Sequence, residues 1–231
     1  RAVIQAAMEA GARRVYLIEE PLAAALGAHL DVSAPEGRMV VDIGGGTTDI
    51  GVITMNGVAI SSSIKVAGTQ FDEVIIKYVR KRFGVIIGAN TAEEIKLSIG
   101  CVSPRPASLT MTAKGRDVKS GLAHEFTVTS EEIMEVLRRP ARQIADRVLD
   151  VLEQTTPELV ADISKNGILL TGGGSQLWGM DQVLRDRTEM NCVVADDADS
   201  CVAYGCGKSL GWMNHMQEGT INISRRRLLK E

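Results

Sequence analysis

Residues 39–50 read Met39-Val40-Val41-Asp42-Ile43-Gly44-Gly45-Gly46-Thr47-Thr48-Asp49-Ile50. The apolar run Met39–Ile43, with one acid near its end, reads as a buried strand. Three consecutive glycines then remove every Cβ from the turn, so main-chain N–H groups can approach an anion or a flat ring closely. Thr47 to Met55 resumes a strand, Asn56-Gly57 is a hairpin signal, and Val58 to Val66 returns. The plan recurs at Ile168-Leu169-Leu170-Thr171-Gly172-Gly173-Gly174-Ser175. A helix to about Arg187 is expected directly after this second triplet, which would add a helix N-terminus to the turn. One glycine turn is often only a tight turn. Two of them, each ending a buried strand, point to two loops shaped for a ligand.

Neither triplet is a P-loop, since no G-x-x-x-x-G-K-[ST] occurs in the chain. Neither is a dinucleotide fingerprint, because the first is followed by strand rather than helix. Asp42, ending a strand beside an anion cradle, suits a water of a Mg²⁺ shell. Thr47 and Thr48 offer hydroxyls next to the cradle, and Asp49 reads equally as an edge residue. Glu20, just before Pro21, has two readings: a carboxylate that orients water, or a helix N-terminal acid facing the macrodipole.

Outward from these turns, strands alternate with helices, which argues α/β. Helices are expected over 2–10, from Leu22 to Ala28 after Pro21, and over 69–83, where Phe71, Val74, Ile75, Tyr78 and Val79 recur at helical spacing. A strand is expected at Arg14–Ile18. Thr91-x-x-Glu94 and Thr129-x-x-Glu132 are capping-box signatures, the second opening a helix over 130–154 that Pro140 should kink. Residues 107–128 alternate like strands. Cys192–Val194 is a short strand, and 199–213 a last helix whose Gly205, Gly207 and Gly211 invite close packing.

The 231 residues carry a net charge of −3, which argues against a dedicated nucleic-acid binder. Cys101, Cys192, Cys201 and Cys206 form no C-x-x-C pair and lack a histidine at zinc spacing, so they read as reduced thiols of a cytosolic protein. No apolar run reaches ~18 residues, so no transmembrane helix is expected. Arg225, Arg226 and Arg227 make a basic tail, read as a solvated terminus or an acidic-lipid contact.

Ile18-Glu19-Glu20-Pro21-Leu22-Ala23-Ala24-Ala25-Leu26-Gly27 together with Val41–Ile50 is similar to the actin-like ATPase superfamily of actin, DnaK-type chaperones and sugar kinases. Phe71-Asp72-Glu73-Val74-Ile75-Ile76-Lys77-Tyr78-Val79, Thr91-Ala92-Glu93-Glu94-Ile95-Lys96 and Leu170–Ser175 resemble its MreB branch, the bacterial actin homologues that determine rod shape. The resemblance runs from residue 1 to about 213. It implies an actin-like (ribonuclease H-like) α/β fold with ATP and Mg²⁺ as cofactors. Gly44, Gly45, Gly46 and Thr47 match the family's second phosphate loop, and Asp42 the acid near the metal, reached through water. Glu20 matches the group that positions the attacking water, a role shared by Thr47. Glu93, Glu94 and Lys96 fall on the helix beside ribose and base, and Gly172, Gly173, Gly174 and Ser175 match the adenosine loop.

The resemblance also implies an organisation. Residues 1–38 would be a strip of the first lobe, 39–87 and 129–196 the core of the second, and 88–128 its small outer subdomain. Residues 197–231 would return to the first lobe and end in the basic tail. No counterpart of the family's first phosphate loop occurs before Arg1, so the chain reads as a C-terminal portion with little ATP hydrolysis of its own. The expected partners are further copies in filaments, the cell-wall synthesis and elongation machinery, and the inner face of the cell membrane from the cytoplasm. A DnaK-like chaperone ATPase domain and a nucleotide-insensitive filament fragment are the competing readings.

Overall fold

A computed structural model describes residues 2–212. In chain order the elements are α1 (Ala2–Glu9), α2 (Glu20–Gly27), β1 (Arg38–Ile43), β2 (Thr48–Thr54), β3 (Gly57–Ile64), α3 (Gly68–Phe83), β4 (Val85–Ile86) and α4 (Ala89–Ile99). There follow β5 (Thr110–Asp117), β6 (Ala123–Thr129), α5 (Ser130–Gln154), α6 (Pro157–Asn166), β7 (Ile168–Thr171), α7 (Met180–Thr188), β8 (Cys192–Val194) and α8 (Cys201–Trp212). The main sheet has the order β3-β2-β1-β7-β8. β1 lies at its centre, antiparallel to β2 and parallel to β7. A second sheet has the order β4-β5-β6.

β1 is covered on both faces, as its unbroken apolar run requires. Met39, Val41 and Ile43 enter the larger core under α3 and α5, with Phe71, Ile75 and Ile144. Val40 points the other way, into a smaller core with Leu22, Ala25 and Leu26 of α2. Side chains alternate along a strand, so Asp42 falls on the α2 face with Val40. Gly51 on β2 makes this arrangement possible: a Cβ there would lie 2.5 Å from Pro21 Cβ. Its absence lets the start of α2 settle on the sheet and brings Glu20 over the strand ends.

α2 is Ala-rich because α8 approaches it almost backbone to backbone. A Cβ at Gly205 would sit 1.7 Å from Ala23 O, and one at Gly27 equally close to Cys201 O. Lys208 Nζ donates to the carbonyls of Leu26 and Gly27 and so caps the C-terminal end of α2.

The Asn56-Gly57 signal forms the expected hairpin, with Met55 and Asn56 both at positive φ as a type I′ turn demands. The Thr129/Glu132 capping box is present in both directions, and α5 runs through a buried Pro140. Four expectations are corrected. Arg14–Ile18 is not a strand: only Tyr16 makes a bridge, and a strand needs a paired neighbour. Thr91 is not a cap, because α4 starts at Ala89 behind Gly88, whose carbonyl accepts from Ala92 N–H. The second triplet leads into a 3₁₀ turn, Gly173–Gln176, and α7 begins only at Met180 after Gly179. Among the three glycines of α8, only Gly205 is in close contact, Gly207 and Gly211 having no atom within 4 Å of a would-be Cβ. The basic tail lies outside the described residues.

Gly205→Ala should destabilise the fold by about 1–3 kcal/mol, since the added methyl meets a carbonyl that cannot move without shifting α2. Gly207→Ala should be neutral or slightly stabilising. Urea unfolding midpoints of the two variants check the contrast.

Candidate functional site

The first glycine turn closes the β1–β2 hairpin, with Gly44 N–H donating to Thr47 O at 3.0 Å. Its carbonyls face backwards: Gly44 O accepts from Gly68 N–H and Gly45 O from Thr69 N–H. These bonds cap α3, whose N-cap Ala67 has no side-chain group for the task. The N–H groups of Gly45, Gly46 and Thr47 find no acceptor among the described residues. A Cβ at Gly45 or Gly46 would meet nothing within 4 Å. Packing therefore does not require glycine there; an anion held against bare main chain would.

The second triplet divides its labour differently. Gly172 has φ +80°, and a Cβ on it would lie 2.4 Å from Ile43 O; one on Gly174 would lie 2.5 Å from Ile43 Cγ2. These two glycines let the loop close against the end of β1. Gly173 between them has open space on its Cβ side. Ser175 is buried, and its hydroxyl donates to Gly172 O at 2.7 Å, so it shapes the loop. The two turns share one cleft of ≈ 400 Å³, onto which Gly44, Gly45, Gly173 and Gly174 open.

Three carboxyls gather where the first turn meets α2. Asp42 is only 3% exposed and accepts a hydrogen bond from Thr171 Oγ1 at 2.6 Å. It lies opposite Asp49 in the β1–β2 register. Burial pushes the Asp42 carboxyl above its ordinary range, opposed by the Thr171 bond and aided by Asp49. Glu20 is raised as well, by burial first and then by Asp49 and Asp42. Thr47 is half-buried at the turn, whereas Thr48 is buried and its hydroxyl donates to Val66 O. No group of His, Cys, Asp and Glu among the described residues is close enough to cage a metal directly. A divalent cation would fit through water, relieving the repulsion of the three acids, with a ligand's own oxygens completing its shell.

α4 forms one wall. Helical spacing places Glu93, Lys96, Leu97 and Gly100 along the cleft. Glu94 is exposed and turned away from it. Lys96 Nζ pairs with Asp72 Oδ1 at 2.8 Å and also donates to Gly68 O at 3.3 Å. Burial raises Asp72 despite this lysine, with Glu93 adding to the shift. Sequence reasoning missed Asp72, Arg105, Gln176, Trp178 and Asp199. Asp72 was visible only as part of a helix motif; Gln176 ends the 3₁₀ turn, and Arg105, Trp178 and Asp199 sit outside the helices and strands, all without a periodic or motif signal.

A five-stranded mixed sheet with a glycine turn at the end of β1, a second one after β7 and an acid between them defines an actin-like α/β fold. The family described as MreB/Mbl protein matches residues 1–218. Cell shape-determining protein MreB of Escherichia coli is 49% identical over 210 residues, 91% of this chain and 60% of that protein. Cell shape-determining protein Mbl of Bacillus subtilis is 44% identical over 96% of this chain. The crystal structure of MreB5 of Spiroplasma citri bound to ADP superposes with a TM-score of 0.87 at 40% identity, over 90% of this chain and 64% of that one. Its AMPPNP-bound form gives a TM-score of 0.88. The chain belongs to the MreB/Mbl family, and it spans about 60% of the length of the Escherichia coli relative.

The raised carboxyls set a sign for pH dependence. The folded state holds protons on Asp42 and Glu20 more tightly than the unfolded chain, so stability falls as pH rises from the ordinary Asp value of 3.8 through the raised folded values. Asp42→Asn keeps an acceptor for Thr171 and removes the buried charge. Its urea midpoint, without nucleotide, should gain on wild type as pH rises through that window and hold a constant offset below it.

Proposed function

We propose that this chain is the ATP-binding lobe of a bacterial actin-like cytoskeletal protein, whose filaments lie on the cytoplasmic face of the membrane and guide cell-wall synthesis. The observation that carries the reading is the convergence of two glycine turns on one cleft, with Gly45, Gly46 and Gly173 bare of any packing neighbour on their Cβ side. The Spiroplasma citri relative, bound to ADP or AMPPNP, supports the choice of an adenine nucleotide.

In this reading the amides of Gly45, Gly46 and Thr47 hold phosphate oxygens. Gly172–Gly174 present main chain to the adenosine end, shaped by Ser175. Glu93 faces the ribose, while Lys96, held by Asp72, keeps the α4 wall against α3. Asp42 would hold Mg²⁺ through water, and the bound ion would neutralise phosphate charge. Glu20 stands over the turn with its proton affinity raised, suited to orienting an in-line water and accepting its proton. Thr47 adds a hydroxyl at the same place. Hydrolysis further needs phosphate contacts from a facing lobe, so it is assigned to the two-lobed assembly. The self-assembly, cell-wall elongation and membrane-surface partners are part of the same proposal, and no nucleic acid is among them.

Gly45→Asp places a carboxylate in open space, so the fold should be kept while MgATP affinity drops at least about tenfold from like-charge contact. In a sedimentation assay of the two-lobed protein, wild type should pellet with ATP and the variant should not; equal pelleting would favour the nucleotide-insensitive reading. Glu20→Ala in the two-lobed protein should slow phosphate release about 100-fold while sparing ATP binding. An unchanged release rate would remove Glu20 from the mechanism.

A further inference from the structure

A second cavity, of ≈ 390 Å³, opens between α5, α7 and the loop that leaves α4. It shares no lining residue with the cleft of the two glycine turns. Its apolar lining is Val102, Pro104, Ala145 and Val183, of which Val102 and Ala145 are buried and form the floor. The loop is pinned in place: Val102 N–H donates to Trp178 O at 2.8 Å, and Ser103 Oγ to Gly179 O at 3.3 Å. A Cβ at Gly179 would lie 2.4 Å from Ser103 Cβ, so glycine is needed for this approach. The cavity is therefore preformed.

The rest of the lining is charged. Arg187 is occupied, since it pairs with Asp146. Arg138 and Arg142 stand four residues apart on α5, hence on one face of the helix. Neither makes a hydrogen bond or ion pair among the described residues, and the same holds for Asp186 on α7. The unpaired charge is thus two arginines against one acid, on a chain whose net charge is −3.

Two free guanidiniums beside an apolar floor suit carboxylates that neighbour an apolar side chain. A preformed apolar pocket with a charged rim is the arrangement that anchors a partner's side chain. Residues 213–231 carry four basic residues against two acidic ones, so that stretch of the chain has the wrong sign to fill it. We propose that this cavity docks an acidic segment of a partner protein, with carboxylates on Arg138 and Arg142 and an apolar side chain against Val102 and Ala145. The docking needs no nucleotide and stands independently of the ATP-binding reading.

The test is fluorescence anisotropy of a fluorescein-labelled peptide, EDFLED, titrated with the full chain. Wild type should bind it, and Arg138→Ser/Arg142→Ser should weaken binding about tenfold. Asp186→Asn removes the opposing acid and should strengthen binding about threefold, a gain that a merely structural role would not produce. The control peptides QNFLQN and EDGGED, which lack the charge or the apolar anchor, should each bind about tenfold more weakly. A cooperative thermal melt for each variant excludes unfolding. No binding of EDFLED, or equal affinity in the double variant, would overturn the proposal. Displacement of the peptide by an equal concentration of inorganic tripolyphosphate would overturn it in favour of a phosphate site. A dimer in sedimentation velocity that the double variant dissolves, with no peptide bound, would overturn it in favour of a second copy of this chain.

Discussion

The contact on which the site depends is between the second glycine triplet and Ile43. A would-be Cβ at Gly172 lies 2.4 Å from Ile43 O, and one at Gly174 lies 2.5 Å from Ile43 Cγ2. Ile43 is the last residue of β1 and immediately precedes the first triplet. The parallel pairing of β1 with β7 brings the two strand ends level, with Asp42 opposite Thr171. Only loops without side chains at these points can then close on each other. The separation of the two glycine turns is set by that contact, and the cleft is what remains between them and α4.

The same strand end concentrates charge. β1 and β2 place Asp42 opposite Asp49, and Gly51 gives α2 the room to bring Glu20 over them. Burial first, and then the Asp49 charge beside them, raise the proton affinity of Asp42 and Glu20, and this opposes folding once they ionise. Thr171 offsets part of this through its bond to Asp42. Sites that carry such uncompensated repulsion are frequently those where a cation and a charged ligand act. The tension sits beside the N–H groups of Gly45, Gly46 and Thr47, which find no acceptor among the described residues, so acids and free donors lie at the same strand end.

Much of the fold was legible in the residues. The buried strands β1 and β7, the Asn56-Gly57 hairpin, the Thr129/Glu132 cap and the amphipathic α3 all follow from short-range chemistry: β-branched runs, glycine turns and helical spacing. The errors share a cause. The T-x-x-E pattern at Thr91 is local and suggests a cap there, but Gly88 starts the helix three residues sooner. The helix expected after Gly174 is instead a 3₁₀ turn, because Ser175 folds back on Gly172 O and Gly179 takes φ +82°. Arg14–Ile18 has strand composition but no pairing partner beyond a bridge at Tyr16, and pairing is not a local property.

For the candidate site, the groups are readable from residue order alone: two glycine turns, an acid at the end of β1 and another before Pro21. These are encoded as runs of adjacent residues, and their chemistry is inherent in residue type. The tertiary structure decided which of them meet. It made Gly172 and Gly174 packing residues while leaving Gly45, Gly46 and Gly173 open, a distinction invisible in two identical triplets. It turned Glu94 out of the cleft, held Lys96 on Asp72, and placed Arg105 on Trp178 across 73 residues of chain. The physical reason is that packing is set by distances between elements, and these depend on how the whole sheet and its helices close around Ile43.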